Sequence, residues 1–331
     1  MLRVAPASRR RKVLLSSGGD AGATAQIHML NDLFIGFSKA LYSTWIFYKP
    51  DHLLFDCGEG VATALGNGGY GIEKVLLTHG HMDHIAGLPV LLGSRAAGMG
   101  DPQKPLHIYY PRGDRFVLQM QEYISQSFRN LPFDLEWVAL EDGEKIPLRG
   151  KRYLETFRTQ HIKNQLTLGY RLMENRRRIK STFAHLSQED ISKIARQDGK
   201  EAVAALSESY QAKVLLIGGD GLPLGVNDVS GTEILFHEAT LINSNERTGQ
   251  MHSTLEEAVQ IAAAAHAQSL VLYHISGRYH AAEIKKAVLA ARKKYSVVIP
   301  IWILHHNRLT QHPSPPREQI TKYGYQIKIK K

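Results

Sequence analysis

Four short apolar runs in this chain each lead directly to a histidine or an acid. Val75-Leu76-Leu77 leads to His79, and Val214-Leu215-Leu216-Ile217 leads through two glycines to Asp220. Ile234-Leu235-Phe236 leads to His237 and Glu238, and Leu270-Val271-Leu272-Tyr273 leads to His274. Runs this short and this rich in β-branched and other apolar residues read as buried strands. Each then delivers a polar, metal-competent side chain from its carboxyl end, where open α/β sheets bind ligands. Helices must separate such strands, so the expected class is α/β. Thr254-Leu255-Glu256-Glu257 opens one helix, with Thr254 as N-cap and Glu257 at the capping-box position. Another runs from about His280 to Tyr295 and ends on Arg292, Lys293 and Lys294, where the helix dipole favours cations.

The first run continues as Thr78-His79-Gly80-His81-Met82-Asp83-His84, three histidines and an acid within six residues of a chain holding 16 His. Zinc takes imidazole nitrogen and carboxylate oxygen, and a catalytic site keeps a position open for water. His79 and His81, two apart, converge on one metal only on an extended turn, because on a helix they would diverge. Gly80 is expected to supply a permissive backbone there. Asp83 and His84 serve a second metal beside the first. The remaining ligands come from other strand ends: His161 after the strand-like Tyr153–Phe157 stretch, then Asp220 and His274. Asp220 is the natural bridge, since a carboxylate can offer oxygen to both ions. The sets are then His79, His81, His161 and Asp220 for one zinc, and Asp83, His84, Asp220 and His274 for the other.

Lys and Arg number 41 against 31 acids, a formal net charge of +10. That excess fits either simple solubility or an anionic partner such as RNA. No apolar stretch approaches the ~20 residues of a membrane span, so no membrane partner is expected. The single cysteine, Cys57, excludes an internal disulfide and a multi-cysteine zinc site, and fits a reducing compartment. The expected location is cytoplasmic. Arg3, Arg9, Arg10, Arg11 and Lys12 read as a basic tail, an organellar transit peptide being the alternative. One domain is expected over residues 1–331. Within it, 174–212 reads as an inserted basic arm that opens with Arg176-Arg177-Arg178 and continues as helical pieces near Gln188–Arg196 and Glu201–Tyr210. Because it lies between two ligand segments, its base is expected near the active-site rim. Residues 313–331 read as a basic tail.

Taken in order, Leu54-Phe55-Asp56-Cys57-Gly58-Glu59-Gly60, the His79–His84 run, Leu168-Gly169-Tyr170-Arg171, His237-Glu238-Ala239-Thr240, His252-Ser253-Thr254 and His274-Ile275-Ser276-Gly277-Arg278-Tyr279 resemble the metallo-β-lactamase superfamily. The resemblance is to its ribonuclease Z branch in particular, over roughly residues 50 to 280. It implies an αββα sandwich, two zinc ions per chain, a homodimer and phosphodiester hydrolysis. Asp83 would orient the attacking water and accept its proton. His252 would protonate the leaving oxygen, held in its tautomer by Glu238, and His237 would be structural. Arg278 and Ser253 are expected on the substrate side, Arg278 either clamping a phosphate or making a packing salt bridge. Arg176, Arg177 and Arg178 are expected to hold RNA backbone away from the scissile bond.

Three features depart from the family pattern. Gly221 stands where Thr usually follows the bridging Asp, and Ser17-Gly18-Gly19-Asp20-Ala21-Gly22 stands near the place of an amino-terminal Gly-Thr-Ser turn. The arm lacks the Gly/Pro-rich tip of the tRNA enzymes. The leading expectation is an endoribonuclease acting near the 3′ side of tRNA-like precursors. A phosphodiesterase for cyclic nucleotides or other small diesters is second, and a catalytically idle RNA-binding scaffold third.

Overall fold

The structure, a computed structural model, describes residues 30–98, 104–249, 251–305 and 308–311. The basic segment before residue 13, the 17–22 turn and the 313–331 tail lie outside the described residues. The first sheet holds β1 (Phe34–Lys39), β2 (Ser43–Tyr48), β3 (Leu53–Phe55), β4 (Lys74–Leu76), β5 (Leu106–Pro111) and β6 (Leu135–Leu140) in that spatial order. The second runs in reverse from β14 (Arg308–Gln311) through β13 (Ile301–His305), β12 (Leu270–Tyr273), β11 (Ile234–Glu238), β10 (Ser207–Ile217), β9 (Thr167–Ile179) and β8 (Arg152–Thr159) to β7 (Lys145–Pro147).

Strand alternation explains why the apolar runs are unbroken. In β12, Val271 and Tyr273 point into the core between the sheets, while Leu270 and Leu272 pack beneath the helices Leu255–Ala264 and Ala281–Tyr295. In β4, Leu76 faces the inter-sheet core while Val75 faces the helices Val61–Leu65, Leu88–Gly98 and Arg115–Ser127. Both faces of each sheet are therefore covered, which requires apolar residues at successive positions. The layers are helix, sheet, sheet, helix.

β10, β11 and β12 are parallel, so their carboxyl ends meet at one pole of the molecule. Asp220, Glu238 and His274 lie at those ends. β9 runs antiparallel to β10 from Tyr170↔Ile217 to Ile179↔Ser207. The Asn175 amide still donates on the β8 side, to the Lys151 carbonyl, and beyond it β9 pairs with β10 alone, so Arg176–Ile179 and Ser207–Tyr210 form a two-stranded ribbon. The helices Gln188–Gln197 and Gly199–Ala205 lie at its tip.

This arrangement corrects the reading of the arm in three ways. Arg176, Arg177 and Arg178 belong to a strand, and the second helix ends at Ala205 before the chain re-enters β10. The arm also leaves from the amino end of β10, at the pole opposite the strand ends that bear Asp220 and His274. At about 3.3 Å per residue, Tyr210, the partner of Arg176, stands roughly 30 Å from Asp220 along the strand. Finally, residues 174–212 carry seven basic and six acidic side chains, so the arm as a whole is nearly neutral.

Candidate metal centre

The seven expected ligands converge. His79, His81 and His161 form one group, His79, His84 and Asp220 a second, and Asp83, His84 and His274 a third, with the ligand atoms of each group within 4.8 Å of one another. Shared members make this one continuous cluster with two lobes. Asp220 joins them: its Oδ2 is 3.0 Å from His274 Nε2 and 3.3 Å from His84 Nε2.

The outward-facing ring nitrogens explain the inward ones. His84 Nδ1–H donates to Asp56 Oδ2 at 2.8 Å, and His161 Nδ1–H to the Met251 carbonyl at 3.0 Å. His274 Nδ1–H donates to the Thr240 hydroxyl at 2.8 Å, and His79 Nδ1–H to the Thr78 hydroxyl at 3.0 Å. With an Nδ1–H held outside, each of these rings presents its Nε2 edge to the cluster, as metal-binding histidines typically do. His81 is reversed: its Nδ1 faces His79 Nε2 at 3.0 Å and His161 Nε2 at 3.2 Å. His81 Nδ1–H can donate to only one of the two facing lone pairs, so at least one nitrogen there is left without a hydrogen. His84 Nε2 and Asp220 Oδ1 are likewise buried without a hydrogen-bond partner. Converging, unsatisfied nitrogen and oxygen donors are what a pair of divalent cations requires, so the residues fit the metals that the resemblance implies.

Electrostatics divides the lobes. Burial lowers His79 and His161, and pushes His81 down to about 4, with the neighbouring histidines adding to the effect. Burial opposes the charged form of His274 as well, but Asp220 and Asp83 outweigh it and raise it to about 9. His84 is raised above its ordinary range by Asp220 and Asp56, again against burial. The three-histidine lobe is thus neutral, and the other is a network of charged pairs.

Beside the cluster, buried Glu238 accepts at Oε1 from His252 Nδ1–H at 3.0 Å and from the Ser253 and Gly221 amides. Its Oε2 accepts from the Thr240 amide and hydroxyl. The hydrogen bond and charge of His252 hold this carboxyl below its usual range although burial pushes the other way. The His252 ring lies 5.0 Å from that of His161 and 5.5 Å from that of His274, so it borders both lobes.

Other expectations fare differently. The His237 ring belongs to none of the cluster's donor groups and is held between the Glu238 carbonyl and the Leu224 amide, the arrangement a structural role requires. Ser253 is 0% exposed and donates its hydroxyl to the Gly221 carbonyl, so it braces the loop and does not face substrate. Arg278 has a side chain 57% exposed and paired with Glu246, which is the packing salt bridge that was one of its two expected roles. The arm arginines all have partners within the chain: Arg176 pairs with Glu174 and Glu233, Arg178 with Glu208, and Arg177 donates to the Ala204 carbonyl.

Two glycines have causes that sequence spacing did not reveal. Gly80 is not in the left-handed region; a Cβ on it would lie 2.3 Å from Asp114 Oδ1. Gly221 has φ +149 and a Cβ on it would lie 2.5 Å from the Gln160 carbonyl oxygen, so this backbone leaves no room for a side chain there. Sequence reasoning also gave no role to Asp56, although it lies in a quoted motif. Asp56 holds both His84 and Thr78 from a left-handed backbone position at the end of β3.

Fold and ligand set together define a metal-dependent hydrolase of the metallo-β-lactamase fold. A family model described as anti-Pycsar protein Apyc1 matches residues 35–204. Ribonuclease BN of Cronobacter sakazakii is 31% identical over 293 residues, spanning 76% of this chain and 91% of that protein. Ribonuclease Z of Natronomonas pharaonis is 28% identical over 275 residues, spanning 74% and 87%. Among solved structures, the metallo-β-lactamase fold protein YhfI from Bacillus subtilis aligns with TM-score 0.59 at 16% identity over 84% of this chain and 98% of its own. Human tRNase Z, short form, aligns with TM-score 0.56 at 20% identity over 85% and 98%. The chain belongs to the family that the Apyc1 model describes and to the ribonuclease Z-like branch of the metallo-β-lactamase superfamily, and is a metal-dependent nuclease or phosphodiesterase. No helix among the described residues is long and apolar enough to cross a membrane.

Proposed function

We propose that this protein is a two-zinc phosphodiester hydrolase that cleaves tRNA-like precursors near their 3′ side. The observation that carries the hydrolytic reading is the Glu238–His252 pair seated against the two-lobed cluster. When bound, two such metal ions lower the pKa of a coordinated water and offset charge on the phosphoryl oxygens. His79, His81, His161 and Asp220 would hold one ion, and Asp83, His84, Asp220 and His274 the other. Asp83 lines the open side of the second lobe, where the Leu41 amide fixes its Oδ2 at 3.1 Å. From there it orients the attacking water and takes its proton. His252 supplies a proton to the departing alkoxide, and Glu238, hydrogen-bonded to Nδ1, keeps the other ring nitrogen toward the reaction. An alkoxide leaving group needs such a donor, and both RNA and nucleotide diesters have one.

The relatives named ribonuclease Z and BN favour RNA as substrate. The arm favours the second reading, a phosphodiesterase for cyclic nucleotides or other small diesters, since it is nearly neutral, internally paired and far from the cluster. The proposal includes a homodimer in a cytoplasmic or organellar compartment, the dimer being checked by light scattering. The deciding experiment assays precursor tRNA and cyclic nucleotides side by side with metal content measured. Close to two zinc per chain and chelator-sensitive cleavage of precursor tRNA are expected. His81→Ala is expected to lose activity together with at least one metal. Full activity in that variant or a zinc-free active enzyme overturns the metal assignment. Turnover confined to small diesters moves the substrate to the second reading.

A further inference from the structure

Asp114 is not a ligand, yet it touches every segment that carries the three-histidine lobe. It is 0% exposed and caps the helix Arg115–Ser127, accepting at Oδ1 from the Phe116 and Val117 amides at 3.0 and 3.2 Å. Capping alone would use one carboxylate oxygen. The other, Oδ2, accepts from Gln165 Nε2 at 2.7 Å, and Gln165 lies in the loop that follows His161. The Gly80 amide, between His79 and His81, donates to the same carboxylate. The approach there is so close that no Cβ fits on Gly80, whose missing atom would meet Asp114 Oδ1 and the Phe116 Cβ. The Phe116 ring stands 6.2 Å from that of His81.

We propose that Asp114 is a positioning residue for the three-histidine lobe, setting the His79-Gly80-His81 turn at a fixed distance from the His161 loop. The inference rests on the reading of the cluster as a two-metal centre. Three ring nitrogens aimed at one point lose their convergence if either segment shifts, and groups that orient metal ligands typically govern affinity by about 10–100-fold. His84, Asp83 and His274 are held by Asp56, Leu41 and Thr240 instead, so the effect belongs to one lobe.

Asp114→Ser separates this role from helix capping. Serine is an equally good N-cap, but its single hydroxyl is too short to span Gly80 and Gln165. Zinc affinity is measured by chelator competition, cobalt(II) absorption reports the ligand field, and circular dichroism reports the fold. With helix content unchanged, Asp114→Ser is expected to bind one metal as wild type does and the other about 10–100-fold more weakly. Gln165→Leu, which cuts only the tie to the loop, is expected to weaken the same site less and leave the helix cap intact. Wild-type affinity for both metals in Asp114→Ser and Gln165→Leu overturns the proposal. If Asp114→Ser fails to fold, Gln165→Leu decides alone, wild-type affinity in it again overturning the proposal. A wild-type protein that takes up no metal overturns the two-metal reading itself, which is a distinct result.

Discussion

At the residue scale the centre is a matter of which ring nitrogen carries a proton. Asp56, Thr78, Thr240 and the Met251 carbonyl each take an Nδ1–H from outside, and that turns the Nε2 edge of each ring toward the cluster. The pKa directions turn this into a measurable difference between the lobes. Without metal, His274, raised to about 9 by Asp220 and Asp83, holds a proton on its cluster-facing side at pH 7, and His84 is raised in the same direction by Asp220 and Asp56. A metal entering there must displace that proton. His79, His81 and His161 are lowered and already neutral, so binding there displaces none. Titration calorimetry of metal-free protein in buffers of different ionisation enthalpy is therefore expected to show proton release for one metal only. That release fades as pH rises through about 9, and the affinity of that site rises over the same interval. Equal release from both sites contradicts the assignment. His252→Ala is expected to keep its metal and lose about 10²–10⁴ in rate on diesters with alkoxide leaving groups. The loss is expected to be much smaller with p-nitrophenol as leaving group, which departs without a proton; equal losses would make His252 a substrate-positioning group.

At the scale of elements, strand direction decides what reaches the site. The parallel run β10, β11, β12 brings Asp220, Glu238 and His274 to one pole because their carboxyl ends are in register. The same direction sends the β9–β10 ribbon to the other pole. Proximity in sequence to two ligand segments therefore misled the expectation of an arm at the rim. Arg177 and Lys180 donate to the Ala204 and Ala205 carbonyls at the end of the helix Gly199–Ala205, where cations complement the helix dipole. Arg177→Ala/Arg178→Ala is expected to leave turnover of a small diester within about twofold of wild type, since such a substrate spans far less than the ~30 Å of strand between them. For an RNA that reaches the arm, the salt dependence of binding flattens by about 0.7–0.9 for each phosphate that the variant no longer neutralises. An unchanged slope on precursor tRNA removes the arm from RNA recognition.

At the scale of the whole molecule, the site depends on two sheets keeping their spacing. Tyr170, buried on β9, donates its hydroxyl across the inter-sheet core to the Leu77 carbonyl at 2.7 Å, just ahead of Thr78 and His79. The first sheet's ligands are thereby tied to the second sheet's. Tyr170→Phe strands a buried carbonyl, a loss of about 1–2 kcal/mol. Calorimetry is expected to show a melting point a few degrees lower, together with weaker metal retention. A lower melting point with unchanged metal affinity would make the tie purely structural. Net charge of +10 belongs to this scale too, and the nearly neutral arm means that the excess lies elsewhere on the chain.

The convergence of His79, His81, Asp83, His84, His161, Asp220 and His274 as candidate ligands was legible because metal chemistry restricts such residues to a few types, and because each follows a strand or turn that local hydrophobic pattern reveals. The layered α/β architecture was legible for the same reason, since sheets buried on both faces need unbroken apolar runs. The helix starting at Leu255 was legible through its Thr254 and Glu257 cap, which joins neighbours in sequence. Nothing local marks Asp114 as the partner of Gly80, Tyr170 as the partner of Leu77, or Gln160 as the reason for Gly221. Those pairs lie from 34 to 93 positions apart, and they meet only through the packing of sheets and loops. The direction in which the arm leaves the body has the same origin: composition describes a segment, while strand polarity within the assembled sheet decides where it points.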